Sequence, residues 1–287
     1  PSGPLGGSAR RETVTTASAP TAPAAAAPAS ARSAGRRYRQ ALWLLTVRDL
    51  RVRYSTSALG YVWSILDPLV MSGIYWFVFT QVFHRGSVGE DPYIVFLLSA
   101  LLPWMWFTGG VSDSTRAFIK ESKLIRSTTI PRTIWVARID ASKGIEFLLS
   151  LPVLAAFAIA TGAHLHWQVV FFPLAIVLQC ALVYGLGLIV APLVVFFRDL
   201  ERATKLVLRF LFYASPIIYG THALPSALRD IAAINPLTGI FGMYRAAFFP
   251  GQLDWLEVGA SVVVTGIVLV IGFAVFRRSE HRVLKEL

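Results

Sequence analysis

The residues of this 287-residue chain that could do chemistry are few, and their spacing argues against an enzyme. His164 and His166 form a His-x-His pair in a short polar stretch. Zinc needs three or four nitrogen, sulfur or carboxylate ligands, and no third ligand lies near this pair. The acidic pairs Glu90-Asp91 and Asp199-Leu200-Glu201 flank the ends of apolar runs and read as surface charges. They do not resemble the close carboxylates with which a membrane glycosyltransferase would hold a metal and a sugar phosphate. The chain lacks a G-x-x-x-x-G-K-S/T loop, whose backbone amides and Lys would cradle nucleotide phosphates. Energy-driven work would therefore take its nucleotide from another polypeptide. The single cysteine, Cys180, sits inside an apolar run, which leaves no disulfide framework and no thiolate metal cluster.

Two ionisable residues fall at the edge of apolar spans, Asp67 and Glu146. Charges at membrane depth are costly and usually functional. Both lie within reach of an interface, so polar interhelix contacts or water suit them better than a proton relay. An ion-coupled transporter carries such groups near the midplane; their scarcity here points to an external energy source. Aromatic side chains are abundant at Tyr61, Trp63, Tyr75, Trp76, Phe77 and Phe79, at Trp104, Trp106 and Phe107, and at Phe210, Phe212 and Tyr213. Those at headgroup depth form interfacial belts. Those lying deeper have two readings, lipid-facing packing or a path for sugar rings, whose C–H faces pack on aromatic faces.

The elements carrying these residues are membrane helices. Hydrophobic residues make up 55% of the chain and charged residues 15%, with a mean hydropathy of +0.60. Soluble domains carry about 25% charged residues. A bilayer needs about 20 apolar residues per helical crossing, and six stretches qualify: Ile65 to Val82, Tyr93 to Val111, Gly144 to Thr161, Val169 to Phe197, Leu206 to Tyr219 and Val258 to Phe276. The fifth is short. It begins earlier, around Arg202, or is finished by a bent segment after Pro216. With the N-terminus inside, 24 of the 27 Lys and Arg fall on the cytoplasmic side, leaving Arg85, Arg229 and Arg245 outside. Both termini are then cytoplasmic. This distribution also accounts for the net charge of +11 without nucleic acid, because basic loops meet anionic lipid.

Residues 1–35, rich in Ala, Pro, Ser and Gly, read as a disordered cytoplasmic tail. Residues 36–64 hold a helix with Trp43, Val47, Leu50 and Tyr54 on one stripe and Arg48 and Arg51 turned away. This is the pattern of a helix in the membrane interface, or of one packed on protein. Residues 65–287 form the six-helix transmembrane unit. Pro103, Pro152, Pro173, Pro192 and Pro216 each remove a backbone donor in or beside a span, so freed carbonyls must find partners within the protein or at a wet cavity. Gly185 and Gly187 allow a neighbouring helix to come close.

A run of local patterns carries a family resemblance: Arg51-Val52-Arg53-Tyr54, Ser57-Ala58-Leu59-Gly60-Tyr61-Val62-Trp63 and Asp67-Pro68; Glu121-Ser122-Lys123-Leu124-Ile125-Arg126 and Ile130-Pro131-Arg132; Phe197-Arg198-Asp199-Leu200; Asn235-Pro236-Leu237-Thr238 with Tyr244-Arg245; and Phe276-Arg277-Arg278-Ser279-Glu280. Together they resemble the transmembrane subunit of type-two ABC exporters that move lipid-linked polysaccharides such as O-antigen, teichoic acid and mycobacterial galactan.

The resemblance implies an all-α integral membrane protein with six spans, an N-terminal amphipathic interface helix, a cytoplasmic coupling helix and short external gate helices before the last span. It implies a channel built by two copies in the cytoplasmic membrane, with two copies of a separate ATPase beneath it. The chain itself would hold no cofactor, ATP and Mg being bound by that partner. On this sequence, Lys120, Lys123, Leu124, Ile125 and Arg126 would dock on the ATPase, and Arg53, Tyr54, Leu59, Gly60 and Trp63 would gate the cytoplasmic mouth. Tyr75, Trp76, Phe79, Trp104, Phe107, Phe210 and Tyr213 would line the channel. Asn235, Pro236, Tyr244 and Arg245 would belong to the external gate, within Leu224 to Phe249. A drug or small-lipid exporter of the same architecture, and a membrane-embedded glycosyltransferase, are the alternative readings. High Ala and Arg usage fits a GC-rich actinobacterial source, for which galactan would be the natural cargo.

Overall fold

The computed structural model describes residues 2–3, 31–55, 62–78, 89–128 and 130–286, and among them the regular structure is helical. The helices are α1 (Ala31–Ser55), α2 (Trp63–Trp76), α3 (Tyr93–Ser114), α4 (Ala117–Lys120), α5 (Ser122–Ser127), α6 (Ile134–Ala160), α7 (Phe172–Phe196), α8 (Leu200–Ala214), α9 (Ser226–Ile234), α10 (Pro236–Ala246) and α11 (Trp255–Glu286). Leu59, Gly60, Phe79 and the side chain of Tyr54 lie outside the described residues, as does the tail over 4–30. The boundary of that tail moves: α1 begins at Ala31 rather than near Arg36, since Ala and Arg are among the strongest helix formers.

Among the described residues, four helical stretches are long and apolar enough to cross a bilayer: Tyr93–Ser114, Ile134–Ala160, Trp167–Phe196 and Trp255–Glu280. They coincide with the second, third, fourth and sixth expected spans. Of the first, α2 supplies the part to Trp76, with Pro68 inside it and the Ser72 hydroxyl bonded to the Pro68 carbonyl.

The fifth departs from a simple span over Leu206 to Tyr219. Its helix starts at Leu200 and stops at Ala214, with Glu201, Arg202, Lys205 and Arg209 in its sequence. Pro216 cannot donate to the preceding turn, and Ser215–Tyr219 leaves the helix as a bent segment whose carbonyls are captured from elsewhere in the fold.

α3 is the enclosed centre of the bundle, buried along most of its length between α2, α6, α7 and α10. A large apolar core joins Phe96, Leu98, Trp104, Phe107, Phe147, Leu182, Phe241 and Tyr244, drawing α3, α6, α7 and α10 together. A second cluster, at the end that carries α4 and α5, joins Phe118, Ile125, Ile134, Trp135, Leu188 and Phe276, with Tyr38, Leu42 and Leu45 of α1 against it. Outward faces of α6, α7 and α11 remain apolar, with Leu148, Ile159, Val177, Val263, Ile267 and Val270 exposed. A water-soluble protein would not leave so continuous an apolar belt uncovered, whereas lipid tails do so at no cost.

The most extensive helix contact is α7 against α11. A Cβ on Gly272 would stand 2.5 Å from the Gly185 carbonyl oxygen, a backbone atom that cannot rotate aside. Gly187 likewise faces Val136 and Ser114. Small residues are what let membrane helices approach this closely. Gly272→Ala must therefore force α7 and α11 apart, an overpacking strain of about 1–3 kcal/mol. Thermal unfolding of the purified protein in detergent should show a lower midpoint for Gly272→Ala, while Gly266→Ala, whose Cβ meets nothing within 4 Å, should not lower it.

Candidate functional site

At one end of the bundle α4 and α5 turn about Glu121 and project a basic tip. Lys120, Lys123 and Arg126 are exposed there and Leu124 is half-buried. Ile125 differs from its expected place on a docking surface. Its side chain is buried in this chain's own apolar cluster with Phe118, Ile134 and Trp135. In this helix of six residues Ile125 holds the tip down, with Leu124 packed against the same cluster.

Four charges lock this tip to α1 and α6. Arg138 of α6 donates through one guanidinium nitrogen to both carboxylate oxygens of Asp49, at 2.6 and 2.8 Å, and stands 3.4 Å from Glu121. Arg48 donates to Glu121 at 2.6 Å and lies 3.5 Å from Asp49. The Arg138 side chain is 3% exposed and sits over the Trp135 ring, 5.1 Å from its centroid. Burial raises the Asp49 carboxyl above its ordinary value, though Arg138 and Arg48 beside it pull the other way.

The protein-facing side of α1 is thus Leu42, Leu45, Thr46, Asp49 and Leu50, a stripe at helical spacing, while Trp43 is exposed. Arg48, expected to turn away from the apolar stripe, pairs with Glu121, because a fixed carboxylate lies within reach of it.

One turn further along α1, Arg53 reaches across to α3 and α6. It donates to Asp113 at 2.8 Å and to Glu146 at 3.0 Å, and Lys143 contacts the same two carboxylates at 3.6 and 2.9 Å. Beside this group opens a cavity of about 440 Å³, lined by Arg53, Trp63, Asp67, Trp106, Lys143, Glu146 and Phe147 among others. A second cavity of about 750 Å³ lies on the other side of Arg53, toward Arg48, Glu121 and Arg138. Arg53 and Trp63, both expected at the cytoplasmic mouth, therefore share one wall. Asp67 and Glu146 face the same space.

The aromatic residues divide. Tyr75 stacks on Phe212 at 5.7 Å, Trp104 lies 5.6 Å from Phe212 and 5.5 Å from Phe107, and Phe212 meets Tyr213 edge-on at 5.2 Å. Tyr75, Trp104, Phe212 and Tyr213 line an open groove of about 320 Å³ with Thr108, Leu208 and Arg209. Phe107 is buried behind it, whereas Trp76 and Phe210 are exposed outside the groove. Phe212, not among the residues expected to line a channel, is the ring that joins the others.

At the opposite end α10 is buried on nearly every residue. Asn235 caps it, its side chain accepting from the Leu237 amide at 3.0 Å and donating to Ser215 at 2.9 Å, and Pro236 occupies the first helical position, where no amide is needed. Tyr244 is fully buried against Phe172, ring centroids 4.7 Å apart, and Phe147.

Arg245, expected in an outside loop, is 2% exposed. It donates to the carbonyls of Pro216 at 2.7 Å and Ile217 at 2.6 Å, with longer bonds to Tyr219 and Phe96, and lies over the Phe96 ring. The carbonyls freed where α8 breaks at Pro216 thus find their donor in this guanidinium.

Sequence reasoning missed Asp140. The third span, taken to start at Gly144, left it outside, but α6 begins at Ile134 and Asp140 is buried two turns in. Trp106 Nε1 donates to it at 3.0 Å, and Cys180 Sγ lies 3.1 Å away. Gln179 was also passed over; it is fully buried and donates to the Pro103 carbonyl at 2.7 Å. The signal available was a polar residue inside an apolar run. His164 and His166 are exposed in the turn before the short helix at Trp167.

The sequence has counterparts among known proteins. Residues 40–249 match the family model described as ABC-2 type transporter. The O-antigen export system permease protein RfbA of Klebsiella pneumoniae is 34% identical over 242 residues, covering 83% of this chain and 92% of that protein. The protein of the same name from Myxococcus xanthus is 30% identical, over 81% of this chain and 89% of its own length. The polysialic acid transport protein KpsM of Escherichia coli is 26% identical, over 84% and 93%. With the family model covering most of its length and relatives this similar, the chain belongs to the ABC-2 type transporter family.

Proposed function

We propose that this chain is the permease of an ATP-driven polysaccharide exporter. The observation that carries the reading is similarity over almost the whole length of relatives named for O-antigen export. In this reading α2 and α8 complete six crossings, both termini and the α4–α5 tip are cytoplasmic, and two copies enclose the conduit. Two copies of a separate ATPase, holding ATP and Mg, dock at the tip. The cargo is a lipid-linked glycan, with galactan the first to test. The groove of Tyr75, Trp104, Phe212 and Tyr213 supports a sugar path, since flat rings let a glycan slide without a single tight site. The α9–α10 segment forms the outer gate, and the Arg53 cluster the inner one.

Deleting the gene should abolish surface polysaccharide and leave its lipid-linked precursor inside the cell, measured by glycan extraction and staining. Restoring the wild-type gene should recover export, and a Tyr75→Ala, Tyr213→Ala chain should recover less than a tenth of it while assembling normally. Unchanged surface glycan in the deletion strain would reject the reading.

The tip gives a second test. Three exposed cations favour an acidic docking surface, so Lys123→Glu with Arg126→Glu should cut copurification of the ATPase at least tenfold. Retention at wild-type level would move the docking surface elsewhere.

A further inference from the structure

Two cations reach the 440 Å³ cavity between α1, α2, α3 and α6, and each is already paired with carboxylates. Arg53 is held by Asp113 and Glu146, and Lys143 by the same two carboxylates. Asp67 and Glu146 line the cavity and Asp113 stands behind Arg53, so three carboxylates surround two cations here. Among the described residues, a diphosphate entering here meets no unpaired positive group and a surplus of negative charge. Asp67 is exposed on α2 and, among the described residues, its carboxylate is engaged in no hydrogen bond or ion pair.

The apolar walls are equally specific. The one donor of Trp106 is committed to Asp140 at 3.0 Å, so toward the cavity its indole offers only hydrocarbon surface, backed by the Phe147 ring at 5.3 Å. Trp63 adds a second indole. Aromatic faces for C–H groups, an open carboxylate to accept from hydroxyls and salt-bridged nitrogens at the rim match a sugar ring on each count. The volume lies in the range of small-ligand sites.

The geometry points to this cavity as a binding site for an uncharged saccharide, engaging the glycan portion of the cargo and not its phosphates. This rests on the reading of the chain as a polysaccharide exporter and adds which part of the cargo the inner end recognises.

The test uses the full chain in phosphatidylglycerol–phosphatidylcholine nanodiscs. Saturation-transfer NMR is recorded with methyl β-D-galactoside, methyl α-D-mannoside and methyl N-acetyl-β-D-glucosaminide, and phosphorus line widths are recorded with inorganic pyrophosphate. Transfer is expected to the ring C–H protons of at least one glycoside. It should fall at least fivefold in Trp63→Ala, return in Trp63→Phe, and fall at least threefold in Asp67→Leu; pyrophosphate lines should stay sharp. No transfer to any of the three glycosides, transfer indifferent to Trp63 and Asp67, or pyrophosphate broadening relieved by Arg53→Gln would each overturn the proposal. Surface glycan in the deletion strain is scored separately. Export without saccharide binding rejects this site alone, and binding without an export defect rejects the exporter reading alone.

Discussion

Arg245→Met is expected to cost about 3–5 kcal/mol and to leave little folded protein in the membrane. The guanidinium supplies two short charge-assisted bonds, to Pro216 and Ile217, and two longer ones, and hydrogen bonds from a charged group are worth about 1.5–3 kcal/mol each. Against this stands the cost of burying the cation, several kcal/mol, which the substitution relieves in part. The balance still favours Arg because the bent segment at Ser215–Tyr219 has no helical partners for its carbonyls, and lipid offers none.

Met fills the volume but donates nothing. Lys donates from a single point and cannot span both short bonds as the planar fork does, so Arg245→Lys should fall between the two. Yield after detergent extraction and the thermal midpoint of what remains are the measurements. A wild-type midpoint for Arg245→Met would mean that the carbonyls of Pro216 and Ile217 find other donors.

How far the residues disclose this fold depends on whether an interaction is local. Apolar length is a property of the chain itself, so the stretches beginning at Tyr93 and near Val169 and Val258 emerge as helices close to where hydropathy puts them. The Asn235-Pro236 start of α10 is legible for the same reason, cap and first helical residue being neighbours. Arg245 is different. Its partners are 26 to 149 residues away, and nothing near it distinguishes a buried guanidinium from a loop cation. Asp140 went unseen because helix α6 extends ten residues before the apolar run that reveals it.

The site residues follow the same division. Arg53 and Trp63 are placed on one cavity as their neighbourhood in sequence suggests. Exposed aromatic residues, by contrast, cannot be sorted from composition, since Phe210 and Tyr213 are three residues apart on one helix and only Tyr213 faces the groove with Tyr75. Ile125 was misplaced because an apolar residue between cations serves equally well to bind a partner or to pin its own helix; the cluster with Phe118 and Trp135 decides for the second.

Arg138→Met should separate ATP turnover from export. Arg138 touches Asp49 of α1 and Glu121 at the turn between α4 and α5, so in the proposed complex a push on the tip reaches α1 through this side chain and Arg48. The same helix carries Arg53 one turn on, at the cavity. Packed charge clusters of this kind shift as units, which lets a small displacement at one end move the other. Losing the cation leaves two carboxylates facing a single Arg48, and breaking a buried pair costs about 3–5 kcal/mol.

That instability could itself abolish export, so the informative chain is Arg138→Met with Asp49→Asn, which removes the stranded anion. Its thermal midpoint should recover most of the loss. Export, read as surface glycan, should stay below a tenth of wild type while the copurified complex still hydrolyses ATP, because α1 no longer follows the tip. Full export by the double variant would show that the cluster braces the fold and transmits nothing.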